Sequence, residues 1–227
     1  MEIKRYNISF ERATLFFEMV FLIISLAFLI RFLKSNSGNY EAWPMLPFAL
    51  LSAAIVPTFL RKRNLSKIGF QIEQPKLILR RLFGICLIVF PALFCGILLL
   101  NHYKVALPLR PMIPQNKWFS WLIYQFIFVA VAEEAFFRGY VQTNIQCLIT
   151  TAIHRNAAFM ALTSVIISAA IFALFHSLLF GNIVSMITFF PGLILGWLFI
   201  KTKSLLAPIL FHGLANVVYA LFATAVT

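Results

Sequence analysis

The sequence predicts an all-α membrane protein, a polytopic helical bundle with about seven transmembrane helices. Of its 227 residues, 62% are hydrophobic and only 11% are charged, whereas about 25% of the residues in a soluble domain are charged. Its apolar residues also gather into separate runs, each close to the ~20 residues that a membrane-spanning helix requires. These observations exclude a soluble globular domain and a disordered chain.

Seven apolar segments, separated by short polar or basic stretches, account for most of the chain. The predicted spans are Thr14–Leu33, Trp43–Leu60, Leu82–Leu100, Trp118–Gln146, Ala157–His176, Ile183–Ile200 and Leu205–Ala225. The longest polar stretch, Arg61–Arg81, is too short for a soluble domain of its own. We therefore expect residues 1–227 to form a single integral-membrane domain.

Two of the spans carry features beyond hydrophobicity. The apolar core of the first is too long for a signal peptide, and no small-residue cleavage site follows it, so it is predicted to be a retained anchor. In the sixth, Pro191 is expected to bend the helix. Gly192 and Gly196 have the small-xxx-small spacing that lets helices pack closely in lipid.

The net charge of +12 is attributed to membrane topology. With the N-terminus inside, 14 of the 19 Lys and Arg residues lie on the inner side, or 13 if Arg138 is counted within its helix. This bias predicts a cytoplasmic N-terminus. Such residues face anionic lipid headgroups, and no basic stripe is interleaved with base-reading residues, so no nucleic-acid partner is expected.

Three ionisable residues lie in the middle of the fourth span. Glu134 and Arg138 are four residues apart, on one helical face, and are predicted to form an ion pair. Glu133 points in another direction and has no partner on its own helix. Because charges at membrane depth are costly, an unpartnered Glu133 is a candidate general base. The alternative is that both glutamates only join an interhelical polar network.

The fifth and seventh spans supply further polar side chains. His212 and Asn216 share one helical face, and both can donate hydrogen bonds to a developing oxyanion. Phe172 and His176 have the same spacing, so the phenyl ring can pack against the imidazole. If the fifth span starts as predicted, however, His176 lies roughly 28 Å from the inner surface and His212 only about 13 Å, at 1.5 Å per residue.

These residues allow two chemistries. In the first, Glu133 and His176 deprotonate a water that attacks a peptide carbonyl, while His212 and Asn216 stabilise the oxyanion. In the second, Glu133, His176 and His212 bind zinc, although the chain has no H-E-x-x-H helix. No Ser or Cys has a nucleophile signature such as G-x-S-x-G, so a covalent intermediate is not expected.

Three motifs resemble those of the CPBP family, the CAAX prenyl endopeptidase and bacteriocin-processing proteins, also called Abi. Glu133-Glu134-x-x-x-Arg138 matches the family's E-E-x-x-x-R. Phe172-x-x-x-His176 matches F-x-x-x-H, and His212-x-x-x-Asn216 matches H-x-x-x-N/D. The similarity covers roughly residues 125–219.

The resemblance implies an intramembrane endopeptidase whose catalytic motifs lie in about residues 118–225. It assigns Glu133 as base, His176 as its partner on the water, and His212 with Asn216 to the oxyanion. Glu134, Arg138 and Phe172 are supporting residues. We favour a mechanism without a metal or other cofactor, because zinc seldom takes an Asn ligand; zinc held by Glu133, His176 and His212 is the alternative.

The expected partners are the lipid bilayer and a membrane-anchored protein or peptide substrate. A compact chain without extra N-terminal spans or soluble extensions fits a bacterial family member, so the plasma membrane of a bacterium is expected. Neither the substrate's identity nor the oligomeric state is specified by the sequence. Two non-proteolytic alternatives also retain buried Glu and His residues, a bacteriocin-immunity protein and a proton-coupled transporter. Transporters usually show repeated halves, and no internal repeat is visible here.

Overall fold

A computed structural model describes residues 2–36, 45–104, 117–152 and 156–226. Within these ranges the chain is helical and contains no strand. Its long helices are α1 (Glu2–Asn36), α2 (Met45–Leu60), α3 (Pro75–His102), α4 (118–152), α5 (Ala157–Phe180), α6 (Phe189–Thr202) and α7 (Leu206–Val226). Short 3₁₀ helices, Leu65–Ile68 and Ile183–Thr188, precede α3 and α6.

The predicted polytopic helical bundle is confirmed. Within the described ranges, six helical stretches are long and apolar enough to cross a membrane, and α2 is a shorter apolar helix of 16 residues. The predicted start of that second span, Trp43, lies outside the described residues. Large apolar side chains cover the outer surface: on α1, Phe17, Phe21 and Phe28 are each at least 67% exposed. Such an exterior suits lipid as the surrounding solvent.

Helix α3 begins earlier than predicted, at Pro75 rather than Leu82. Proline is well suited to the first position of a helix, where no backbone N–H is needed. The basic residues that follow, Lys76, Arg80 and Arg81, are good helix formers. They therefore lie on the first turns of α3 instead of in a loop.

The bend that Pro191 is expected to cause in the sixth span stays a prediction. The span consists of the 3₁₀ helix and α6, which begins at Phe189, so the proline occupies the first turn of α6. The two glycines of this helix do lie in a tight contact. A methyl group at Gly192 would be 3.1 Å from the Ala169 Cβ, and one at Gly196 would be 3.0 Å from a Val165 methyl. Helices α5 and α6 therefore approach closely at these positions.

Helix α4 lies at the centre of the bundle and is not a uniform α-helix. Three α segments, Trp118–Ile123, Val131–Glu134 and Thr143–Ala152, are separated by two π segments, Tyr124–Ala130 and Ala135–Gln142. In a π segment the hydrogen bonds run from i to i+5, and such turns are frequent at functional sites. Both glutamates of the first motif lie in the short α segment between the two π segments.

The connection between α6 and α7 is hydrogen-bonded to the loop after α2, which itself lies against α4. The Leu205 N–H donates to the Gly69 carbonyl (2.9 Å), and the Ser204 hydroxyl donates to the Gln71 carbonyl (2.6 Å). At Gly139 of α4, an added methyl group would lie 2.8 Å from the Ile68 carbonyl oxygen. The absence of a side chain at this glycine therefore lets the loop after α2, and with it the start of α7, lie directly against α4.

Candidate active site

Three residues from three helices meet inside the bundle. The Glu133 Oε2 atom of α4 lies 3.8 Å from His176 Nε2 of α5 and 3.8 Å from His212 Nε2 of α7. The side chains of Glu133, His176 and His212 are 11%, 14% and 7% exposed. The three groups are therefore largely enclosed by protein.

The sequence analysis expected His176 and His212 to lie at different depths. The structure brings them together because their helices, α5 and α7, begin at different levels. Helix α7 starts at Leu206, near Gly139 of α4. His212 lies six residues into α7 and Glu133 six residues before Gly139, so each is about 9 Å from that contact. Helix α5 begins nineteen residues before His176, about 28 Å along its axis. The first residues of α5 and α7 therefore do not lie at one level.

Glu134 and Arg138 form the predicted ion pair. Both side chains are fully buried, with Arg138 Nε 3.2 Å from Glu134 Oε2 and Nη1 donating to Glu134 Oε1 at 3.3 Å. The guanidinium also donates from Nη2 to the Gly192 carbonyl of α6 (3.1 Å). Its carbon lies 4.4 Å from the centre of the Phe172 ring, a cation–π contact. The buried cation is thus held by α4, α5 and α6 together.

Glu134 has a second partner that the sequence did not reveal, His212. The distance between Glu134 Oε1 and His212 Nδ1 is 2.8 Å. An ionised carboxylate paired with Arg138 can only accept hydrogen bonds, so the proton lies on Nδ1. A neutral His212 then has a lone pair at Nε2, on the side of Glu133. To donate a hydrogen bond to substrate from Nε2, the ring must be an imidazolium.

The position of the proton on His176 is fixed in the same manner, by a backbone carbonyl one turn earlier in α5. Its Nδ1 lies 3.0 Å from the Phe172 carbonyl oxygen, which can only accept, so Nδ1 carries the proton and Nε2 is an acceptor. The Phe172 ring packs 4.2 Å from the His176 ring, as the spacing predicts, and meets His212 edge-on at 6.0 Å. One phenyl ring therefore orients both imidazoles.

Asn216 lies one turn beyond His212 on α7 and binds a residue that the sequence analysis did not single out. Its Nδ2 donates to Oε1 of Gln125 in α4 at 2.9 Å, and Gln125 is only 6% exposed. In a regular α-helix, eight residues place Gln125 about 80° from Glu133 around the axis. A helical wheel therefore gives no reason to group these two residues.

The described residues contain no group of three or more His, Cys, Asp and Glu side chains placed to hold a metal ion. The metal-free mechanism, and the zinc alternative with Glu133, His176 and His212 as ligands, both stay predictions.

The fold and this cluster define a polytopic helical membrane protein with a Glu–His–His site enclosed by its helices. Residues 115–218, just under half of the chain, match the family model described as Rce1-like, type II CAAX prenyl endopeptidase Rce1-like. This region is therefore similar to the CAAX-protease family, and the resemblance predicted from the three motifs is confirmed. All the motif residues lie within the match. No curated protein and no solved structure shows a significant match.

Proposed function

We propose that the protein is an intramembrane endopeptidase that hydrolyses a peptide bond of a membrane-associated protein or peptide with activated water. The observation that carries this proposal is the environment of Glu133. Its buried Oε2 atom forms no hydrogen bond with any described group and lies 3.8 Å from two imidazole nitrogens. These distances exceed a direct hydrogen bond but suit a water between the groups.

In the first step, water loses a proton and attacks the peptide carbonyl. Glu133 and the lone pair at His176 Nε2 each accept a hydrogen bond from the water. Glu133 takes its proton as the water oxygen bonds to the carbonyl carbon, and the carbonyl π electrons move to oxygen. Two acceptors that orient one water supply the positioning that general-base catalysis requires.

His212 and Asn216 stabilise the resulting oxyanion. With His212 as an imidazolium, the charges of Glu133, Glu134, Arg138 and His212 sum to zero, which is the least costly state for a cluster inside a membrane protein. Its Nε2–H then donates to the oxyanion, and the amide of Asn216 provides a second donor. Fixed donors in a site of low dielectric constant are an effective means of stabilising such a charge.

The tetrahedral intermediate then collapses. The oxyanion's electrons re-form the carbonyl, the C–N bond breaks, and the protonated Glu133 gives its proton to the leaving nitrogen. The products are a carboxyl group and an amine, and Glu133 returns to its ionised state. No covalent enzyme intermediate and no external reductant or oxidant is required.

The substrate class follows from the site's location and from the family. The site is formed by membrane helices, so a substrate anchored in the same bilayer reaches it at a high local concentration. We propose that the protein lies in a bacterial plasma membrane. Its N-terminus is proposed to be cytoplasmic, as the distribution of Lys and Arg predicts. The family match supports a peptidase over the transporter and immunity alternatives.

The test is cleavage of membrane-anchored peptides by the purified protein in lipid vesicles. An S-farnesylated CAAX peptide and an N-palmitoylated peptide without a prenyl group serve as probes. Glu133→Gln keeps the shape but cannot accept a proton, so turnover should fall about 10²–10⁴-fold with no loss of folded protein. Glu73→Gln, at an exposed glutamate, is the matched control. Near wild-type turnover by Glu133→Gln would refute the base assignment.

A further inference from the structure

Gln125 is a buried polar residue for which the proposed mechanism has no role. It lies in an apolar stretch of α4, is 6% exposed, and uses its side-chain oxygen to accept a hydrogen bond from Asn216 Nδ2 at 2.9 Å. A buried amide is costly unless it is hydrogen-bonded. A leucine would pack there at no such cost, so the amide calls for an explanation.

The π segment Tyr124–Ala130 explains how Gln125 reaches this position. An α turn takes 3.6 residues, and a π turn, closed by i to i+5 hydrogen bonds, takes about 4.4. One turn of each uses about eight residues, the number that separates Gln125 from Glu133. The wider turn thus brings Gln125 back onto the face of α4 that carries Glu133, the face turned towards His212 and Asn216 of α7.

An asparagine amide has two chemically different ends, and only one of them suits an oxyanion. The NH₂ group donates two hydrogen bonds, whereas the carbonyl oxygen only accepts and would repel negative charge. Gln125 presents its oxygen to Asn216 and binds one N–H of the Asn216 NH₂ group. The second N–H of the same nitrogen remains for another acceptor.

We propose that Gln125 is a positioning residue that orients the Asn216 amide so that its second N–H is directed at the oxyanion. This inference rests on the proposed function, since it assigns the origin of one donor in that mechanism. Gln125 does not touch the reacting atoms. The π segment is the backbone feature that places it.

The test is a double-mutant cycle on steady-state cleavage of the membrane-anchored peptide that the wild-type protein cleaves fastest. Asn216→Ala should lower kcat about 10²–10³-fold, the usual effect of losing one oxyanion donor. Gln125→Leu should lower kcat about 10-fold or more with little change in KM, because the donor acts mainly in the transition state. The double variant should be no slower than Asn216→Ala, since Gln125 acts through Asn216.

The matched control is Gln142→Leu. Gln142 is also a buried glutamine in a π segment of α4, but it donates to the Gly196 carbonyl of α6, away from the site. This variant should retain wild-type kcat per folded molecule. A loss equal to that of Gln125→Leu would indicate that burying a leucine in α4 is harmful in itself, and would overturn the positioning role.

A second measurement does not depend on activity. In ¹⁵N-labelled protein, the side-chain amide of Asn216, assigned by its loss in Asn216→Ala, should show one proton that exchanges slowly with solvent. Gln125→Leu should abolish that protection, and an unchanged signal would overturn the inference. If Asn216→Ala cleaves at the wild-type rate, the oxyanion assignment fails. If only Gln125→Leu does so, the positioning role alone fails.

Discussion

Glu134 contacts both Arg138 and His212, so variants at this position should affect the stability of the protein and its cleavage activity in different ways. Glu134→Gln removes a charge from a carboxylate that is fully buried and contacts both Arg138 and His212. Breaking a buried ion pair by changing one partner costs about 3–5 kcal/mol, because the other charge is left uncompensated. Arg138 retains the Gly192 carbonyl and the Phe172 ring, so we expect the lower end of that range, about 3 kcal/mol.

The double variant Glu134→Gln/Arg138→Gln should recover much of this loss, because it leaves no buried charge unpaired. A coupling of at least 1 kcal/mol between the two sites is expected, within the usual range for contacting residues. Cleavage should not recover. With no carboxylate at position 134, the imidazolium form of His212 loses its nearest counter-charge, and we expect kcat to remain at least about 10-fold low.

The assay is thermal unfolding of the purified variants in detergent, together with cleavage per folded molecule. The matched control is the ion pair between Glu18 of α1 and Arg61 after α2, at 2.8 Å, whose side chains are 30% and 21% exposed. Replacing Arg61 by Gln should cost about 1 kcal/mol or less. A double variant at 134 and 138 no more stable than the worse single variant would refute the pairing. Full recovery of cleavage would refute the role given to the contact between Glu134 and His212.

Three further predictions test the packing, the topology and the metal. Gly139→Ala should destabilise the protein by about 1–3 kcal/mol, since the methyl group would meet the Ile68 carbonyl at 2.8 Å. The control Gly84→Ala should not, because an added methyl group there has nothing within 4 Å. Equal melting temperatures of the two variants would contradict the close contact. Topology can be tested with single cysteines at two exposed positions, Tyr103 and Lys67, in a background lacking the native cysteines. A membrane-impermeant thiol reagent added to intact cells should label the cysteine at 103 and spare the one at 67. The reverse result would invert the orientation. Cleavage should be insensitive to zinc chelators; stoichiometric zinc by elemental analysis, with activity that chelators abolish, would overturn the metal-free mechanism.

Much of this architecture could be predicted from the sequence because it depends on local features. Helix length and hydrophobicity are properties of a continuous segment, so the all-α bundle and the approximate spans followed from composition. The ion pair of Glu134 with Arg138 and the packing of Phe172 on His176 follow from the i,i+4 spacing within one helix. One error was local as well, because α3 begins at Pro75 instead of the predicted Leu82.

The contacts between helices required the tertiary structure. No spacing rule relates Glu134 to His212, or Gln125 to Asn216, because their distances depend on where α7 begins relative to α4. Leu205, just before α7, is hydrogen-bonded to the loop after α2, and that loop lies against Gly139 of α4. The face of α4 on which Gln125 lies depends on a π turn, which a regular helical wheel does not contain. A sequence specifies which side chains share one helix, whereas packing decides which atoms of different helices meet.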